Sequence, residues 1–509
     1  MADRRYPLIR GRIFKTDFYQ SPQGGGGGDI RLPPRDPKTH RIRLLKQLDT
    51  LLAQIQLRPE GQRDPGASRE LIAVQPESTY ELATSPLGDT KRDVRVIGVT
   101  EAGTALLDTK DPEMVLLRRK IDDFADDSKL TKKGARRNAP AIAPIEEIHL
   151  VSEADLVGPR LIAAHIESNV RRWFEIACRG GARSPEDTRD SRGQIHRQLK
   201  RFGISVPQEF VATEQIVFFA RLTLEELRVL TKAVDCIQEF DLAPPDVRDW
   251  LLFNDQPAKD IRAFTLKPPP SDAPSVVLLD TGIATGHPML GKAVLAAGSV
   301  LPNDDSAEDR HGHGTQMAGV ALYGDDVGLS VEVGTGSARH WLQSVRLLMA
   351  PNTGSAAEEN RSYWPQLTVD AVAKAEQQDA VRSRPRVFTL AASYDIDIIA
   401  PTYWSHAIDR LAFNEGKGRL ICIAIGNADV TKVQLIEGYP TLNLEEKVQE
   451  PAQSLNALTV GAFTSKTKMP PEQVYAAAKP VAPAGGVSPH TSAGPIAGLH
   501  GPDILLEGG

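Results

Sequence analysis

Ser275–Ile283 reads SVVLLDTGI. Val276–Leu279 is an unbroken apolar run that ends on an aspartate, with no polar alternation inside it. A strand that shows one face to water alternates, whereas one covered on both faces does not. The stretch therefore predicts a fully covered strand that stops at Asp280 in a Thr-Gly turn. The next hundred and eighty or so residues keep the matching rhythm. HGTQMAGVALYG (313–324) has helical spacing, SVRLLMA (344–350) reads as a strand, and LTVDAVAKAEQQ (367–378) as a helix. RVFTLAAS (386–393) is again a strand, WSHAIDRLAF (404–413) a helix, and RLICIAIGN (419–427) and LNALTVGAF (455–463) are strands. Strands and helices in this alternation predict an α/β architecture, a doubly wound and mostly parallel sheet.

In such a sheet the reactive groups gather at the C-terminal ends of the strands. Asp280, Ser393 and Asn427 each terminate an apolar run, and His313 stands where a loop enters a helix, in RHGHGTQMAG (310–319). Taken singly these signals are weak. An aspartate before Thr-Gly, or an asparagine after Gly, is a common turn residue. His311 and His313 as a metal pair would need a third ligand, and none stands at usable spacing.

Taken in order they carry a resemblance. VVLLDTGI (276–283) resembles the aspartate motif of the subtilisin-like serine proteases, the subtilases. GHGTQMAG (312–319) resembles their histidine motif, with Met317 where valine is usual. IAIGN (423–427) resembles the segment of their oxyanion asparagine, LNALTVGA (455–462) the strand after it, and SAGPIAGLHGPDILLEGG (492–509) the stretch shortly before their nucleophile. Asp before His is also the subtilisin chain order. The resemblance implies a subtilisin-like fold and hydrolysis of peptide bonds by an Asp-His-Ser triad. His313, immediately before Gly-Thr, would be the base and His311 a loop residue. A neutral imidazole takes the proton of a serine hydroxyl and returns it to the leaving amine. Asp280 would hold its tautomer, and Asn427 would donate to the developing oxyanion. Ala391, Ala392 and Ser393 correspond to the edge that pairs with substrate backbone, although LAASYD (390–395) departs from the family's usual Leu-Ser-Leu-Gly.

Two further departures matter. The acidic insertion LPNDDSAEDR (301–310) lacks the spacing of a calcium loop and reads as a solvated loop, so no metal and no cofactor are expected. The family's Gly-Thr-Ser-x-x-x-Pro motif does not occur in these 509 residues. Ser492, in HTSAGP (490–495), belongs to the earlier Ser-Gly-Pro-type segment. The expectation is a peptidase truncated before its serine and inactive as given. The alternative is a non-catalytic binding or regulatory protein on the same scaffold.

Before this region the chain changes character. Residues 1–70 read as an extended arm, with GGGGG (24–28), RLPPRDPK (31–38) and one short helix, RLLKQLDTLLAQIQ (43–56). Residues 71–160 read as a small α+β region, with a strand and turn in VRVIGVTEAG (94–103) and a helix in PEMVLLRRKIDDFAD (112–126). Residues 161–262 read as a ferredoxin-like domain. Its elements are the strand LIAAHIES (161–168), helix DSRGQIHRQLKRFGI (190–204), strand EQIVFFARL (214–222), helix TLEELRVLTKAVD (223–235) and strand CIQEFDL (236–242). Thr223 and Glu226 form a capping box. AFTLKPPPSDAP (263–274) reads as a linker, and 275–509 as the catalytic domain, incomplete at its C-terminus. By resemblance the ferredoxin-like part is similar to a subtilase propeptide. The long N-terminal region and WSHAIDRLAF are similar to bacterial intracellular subtilases encoded beside an AAA-type ATPase, which would be a partner.

Composition sets the remaining bounds. The net charge is −6, with 41% hydrophobic and 25% charged residues, as in ordinary globular domains. The basic run KLTKKGARRN (129–138) has no interleaved aromatics, so a nucleic-acid partner is not expected. MADRRYPLIRGRIFKTDFYQ (1–20) has no apolar core of a signal peptide, and no run is long enough to span a bilayer. Cys178, Cys236 and Cys422 lack metal or disulfide spacing and read as reduced thiols of a cytoplasmic protein.

Overall fold

The computed structural model describes residues 32–508 apart from 60, 90–92, 101–102, 112, 133, 165, 167, 205–206, 245–263, 303, 350–360, 382, 396–400, 429–437, 468–478 and 497–498. The glycine tract 24–28 and the end of the expected ferredoxin-like domain lie outside these residues. Two compact units form, one from residues up to 58 together with 69–151, the other from 59–68 together with 152–509.

The first unit is a helix on a sheet. The helix Pro37–Gln56 starts at Asp36, whose carboxylate accepts the Thr39 N–H at 2.8 Å, with proline at the first helical position. Leu44, Leu48 and Leu51 repeat at helical spacing and are fully buried with Ile72, Val74, Leu107 and Phe124. The stretch read as a short helix on an extended arm is therefore a 20-residue core element. Its sheet consists of β1 (Glu70–Pro76), β2 (Val94–Val99), β3 (Ala105–Thr109) and β4 (Ile145–Leu150), antiparallel in the order β2-β3-β1-β4.

The second unit opens with another antiparallel sheet of four strands. It contains β5 (Arg172–Arg179), β6 (Gln208–Val211), β7 (Gln215–Leu222) and β8 (Ile237–Leu242), in the order β6-β7-β5-β8. With the helices Pro185–Arg201 and Leu224–Ala233 this is the β-α-β-β-α-β ferredoxin-like arrangement. Thr223 accepts from Glu226 N at 3.1 Å while Glu226 accepts from Thr223 N at 2.9 Å, so the capping box is formed. The described residues of 161–168 do not form the expected strand. Pro159–Ala163 is a helical turn instead, because the Asp241 carboxylate accepts from the N–H groups of Leu161 (2.7 Å) and Arg160 (3.2 Å). The first strand of the sheet is β5, which begins at Arg172, and the four-residue β6 precedes β7.

Part of the expected linker is ordered. Thr265–Lys267 forms β9 and pairs in parallel with β12 (Thr335–Ser337), burying Leu266 with Ala293 and Ala338. The large sheet comprises β10 (Ser275–Asp280), β11 (Val294–Ser299), β13 (Trp341–Arg346), β14 (Arg386–Leu390), β15 (Leu420–Ala424), β16 (Leu458–Thr464) and β17 (Gly486–Val487). Their order is β11-β13-β10-β14-β15-β16-β17, and the strand Ile504–Glu507 also pairs with β16. All of these pairings are parallel except β16 with β17. The strand β10 is central and covered on both faces. Val277 and Leu279 join Phe388, Trp364 and Trp404 in one layer, and Leu278 joins Ala318, Leu290 and Leu342 in the other. The helices Trp364–Gln378 and Tyr403–Phe413 therefore cover one face and His313–Tyr323 the other. Because β10, β14 and β15 run the same way, the residues following each of them leave the sheet at one edge.

The ferredoxin-like sheet packs on the same two helices that cover the first face. Ala177, Val217 and Phe219 are buried with Tyr363 and Ala407, and Phe219 stacks between Trp173 (4.5 Å) and Tyr363 (4.9 Å). The Gln208 side chain donates to Arg361 O (2.6 Å) and accepts from Tyr363 N (2.7 Å). Among the described residues no helix is long and apolar enough to cross a membrane.

Candidate active site

Asp280 ends β10 and is almost fully buried. Its carbonyl accepts from Leu347 N (3.0 Å) and Leu348 N (3.2 Å), which fastens the strand end to the segment leaving β13. Its Oδ1 accepts from Thr281 N at 2.7 Å and from His313 Nδ1 at 2.7 Å. A carboxylate only accepts, so Nδ1 carries the proton and Nε2 is the basic nitrogen of the ring. The His313 side chain keeps 22% of its surface exposed.

His313 is the first residue of its helix, after Gly312 at φ 97°, a left-handed turn that suits glycine. The next residue has to be small as well. A Cβ on Gly314 would stand 2.2 Å from Gly282 O and 3.2 Å from Asp280 Cβ, so the absence of a side chain lets the helix end meet the strand end. Burial lowers the pKa of His313, but the hydrogen bond and charge of Asp280, with Asp309 beyond, carry it above its ordinary value. His311 moves the other way, lowered by burial and by the charge of His313, and its ring lies 6.4 Å from that of His313. Among the described residues no three His, Cys, Asp or Glu side chains group as metal ligands.

Asn427 follows β15, three residues past Ala424, and is exposed. Gln449 holds it: the Gln449 Oε1 accepts from Asn427 N (3.3 Å) and the Gln449 Nε2 donates to Asn427 O (3.0 Å). The same Oε1 accepts from Ser393 Oγ at 2.7 Å. One amide thus ties the loop after β14 to the loop after β15. A Cβ on Gly426 would fall 2.5 Å from that oxygen, so the fit depends on glycine. Ala391 and Ser393 are half-buried, and the methyl of Ala392 lies in the core. Ser492 is fully buried, with its N–H on Gly426 O at 3.2 Å.

Asp309 and Gln449 have no motif to announce them, while Thr281 and Thr315 lie inside the aspartate and histidine motifs without a role assigned to them. Asp309 belongs to the insertion read as a solvated loop, yet its carboxylate accepts five hydrogen bonds, from Thr281 Oγ1, His311 N, Gly312 N, Thr315 N and Thr315 Oγ1. An aspartate three residues before a glycine that opens a helix is the signal that points to such a turn.

Residues 271–509 match the model described as the Subtilase family. These residues belong to the subtilase family. A comparison with curated proteins returned no match. Among solved structures the chain is similar to MycP1 from Mycobacterium smegmatis, at 20% identity over 39% of this chain and 54% of that one, with a TM-score of 0.23. It is also similar to the MycP3 protease from the type VII (ESX-3) secretion system, at 20% identity over 39% and 56%, with a TM-score of 0.23. A third is MycP1 from the ESX-1 type VII secretion system, at 19% identity over 44% and 58%, with a TM-score of 0.24. The chain thus spans little more than half the length of each of these proteins.

Proposed function

We propose that this protein is a subtilisin-like serine endopeptidase in which His313 is the general base, Asp280 orients it and Asn427 donates to the oxyanion. The observation that carries the reading is the 2.7 Å contact between Asp280 Oδ1 and His313 Nδ1 at the C-terminal edge of a parallel sheet. That contact leaves Nε2 as the nitrogen able to take a hydroxyl proton. Asn427 fits the donor role by leaving the sheet at the same edge, two strands from β10. The backbone of residues 391–393 suits strand addition by an extended substrate, with little contribution from side chains this small. The family supports polypeptide as the substrate class. A cytoplasmic location is supported by three free cysteines, and an ATPase partner only by the resemblance in sequence.

The nucleophile is the finer part of the proposal. Residues 1–509 contain no Gly-Thr-Ser-x-x-x-Pro motif, and Ser492 is buried in the core. The reading is that this stretch supplies base, orienting acid and oxyanion donor without the attacking hydroxyl. Incubation of purified 1–509 with a fluorophosphonate probe should give no labelled band. Labelling that disappears in Ser492→Ala would overturn the nucleophile assignment, and peptidase activity that survives His313→Ala would overturn the role of His313.

A further inference from the structure

The Asp280–His313 contact is one link of a closed ring of hydrogen bonds. Thr281, next to Asp280, donates its N–H to Asp280 Oδ1 (2.7 Å), and its hydroxyl oxygen accepts from Gly314 N (2.9 Å), next to His313. The Thr281 hydroxyl proton goes to Asp309 Oδ1 at 2.9 Å. The same Oδ1 accepts from His311 N (2.9 Å) and Gly312 N (2.7 Å), the two residues that lead into His313. The other oxygen, Oδ2, accepts from Thr315 N (2.8 Å) and Thr315 Oγ1 (2.7 Å), and Thr315 Oγ1 in turn accepts from Ala284 N (3.1 Å). One carboxylate therefore holds both sides of the contact: the turn after the strand, from Thr281 to Ala284, and the turn before the helix, from His311 to Thr315.

We infer that Asp309 is a positioning residue for His313, acting through Thr281 and the helix-opening turn to hold the imidazole against Asp280. This rests on the general-base reading above. Five donors on one side chain can be met only by an ionised carboxylate, which has acceptor sites on both oxygens. The hydrogen bonds keep Asp309 ionised below the usual carboxylate range although burial pushes the other way. An asparagine of the same shape must turn its N–H₂ either toward Thr315 or toward the Thr281 side, so one set of donors loses its acceptor. The conservative Asp309→Asn change thus opens the ring without creating a cavity. Among the described residues, the charged or titratable groups near the His313 ring are Asp280, Asp309 and His311.

The test is NMR of ¹⁵N-histidine-labelled 1–509, following the His313 ring through a pH titration and measuring exchange of its Nδ1 proton with water. Wild type should show a slowly exchanging Nδ1 proton that Asp280→Asn abolishes. Folded Asp309→Asn should lower the His313 pKa by about half a unit or more and speed that exchange about tenfold or more. Thr281→Val should behave the same way, while Thr281→Ser, which keeps the hydroxyl, should match wild type. A merely structural role would lower the melting temperature without moving the His313 titration. If Asp309→Asn fails to fold, the Thr281 pair decides. An Asp280-dependent proton unaffected by Asp309→Asn and Thr281→Val overturns the positioning role alone. A His313 titration indifferent to Asp280→Asn overturns the general-base reading and this inference together.

Discussion

His313 is pulled in opposite directions, and the outcome is measurable. Burial favours its neutral form, whereas the carboxylate 2.7 Å from Nδ1 favours the charged one and wins, leaving the pKa raised. A histidine with a raised folded-state pKa contributes stability that is complete below its unfolded value of about 6.5 and is lost as pH climbs through the folded value. Urea unfolding of wild type and His313→Gln at pH 6, 7.5 and 9 should therefore show a wild-type advantage that shrinks as pH rises. A difference constant across that window would mean that the pair is not coupled to folding. The neighbouring His311, whose pKa is lowered, would give a slope of the opposite sign, and it is present in both proteins, so the comparison isolates His313. One stretch of ten residues thus holds two imidazoles with opposite shifts, and the raised one is the ring bonded to Asp280.

The helix His313–Tyr323 begins where a strand ends, and its glycines test that junction. Gly314 faces Gly282 O with no room for a methyl, whereas Gly319, in the interior of the same helix, has nothing within 4 Å of where its Cβ would be. Gly314→Ala should cost about 1–3 kcal/mol and weaken the Asp280–His313 hydrogen bond. Gly319→Ala should stabilise by up to about 1 kcal/mol through helix propensity alone. Denaturant melts of both variants check this, and equal effects would show that the junction is not sterically tight. The contrast also explains what could be read from the sequence. An element buried on both faces, such as β10, has a continuous apolar run, so the parallel sheet and its terminal Asp280, Ser393 and Asn427 were visible in one dimension. β5 was not, because it buries Glu175 and Arg179. Their partners, Arg160 and the aspartates 187, 190 and 235, come from other segments. Asp309 and Gln449 were hidden for the same reason. A side chain folded back onto loop amides has no periodicity.

The ferredoxin-like sheet is joined to the subtilase domain by more than apolar packing. Glu175 on β5 is fully enclosed, its carboxylate 2.6 Å from Arg160, and it lines a cavity of about 10 Å³ with Phe219, Arg361, Tyr363, Trp364 and Trp404. Arg160 also reaches Asp241 at 3.1 Å, the residue that caps the Pro159–Ala163 turn. The ion pair is therefore built from the ferredoxin-like part but sits against side chains of the large α/β layer. Burial pushes the Glu175 pKa up, and the charge and hydrogen bond of Arg160 pull against it. Because the folded value is raised, Glu175 adds to stability below about pH 4.5, its unfolded reference, and costs stability as pH rises. Removing the guanidinium sharpens this. Arg160→Met should destabilise by about 3–5 kcal/mol at pH 8, where Glu175 is left as an unpaired buried charge. The loss should shrink as pH falls to 5, because the raised pKa lets the carboxyl take up a proton sooner than an ordinary glutamate would. The double variant Arg160→Met/Glu175→Gln should recover the part of the loss at pH 8 that belongs to Glu175, leaving Asp241 held by the N–H groups of Arg160, Leu161 and Leu242. Thermal melts of the three proteins at both pH values give the answer. A double variant as unstable as the single one would place the cost in Asp241 and in lost packing of the Arg160 stem, and the junction between sheet and helices would then be held by Phe219 and Tyr363 and not by the Arg160–Glu175 pair.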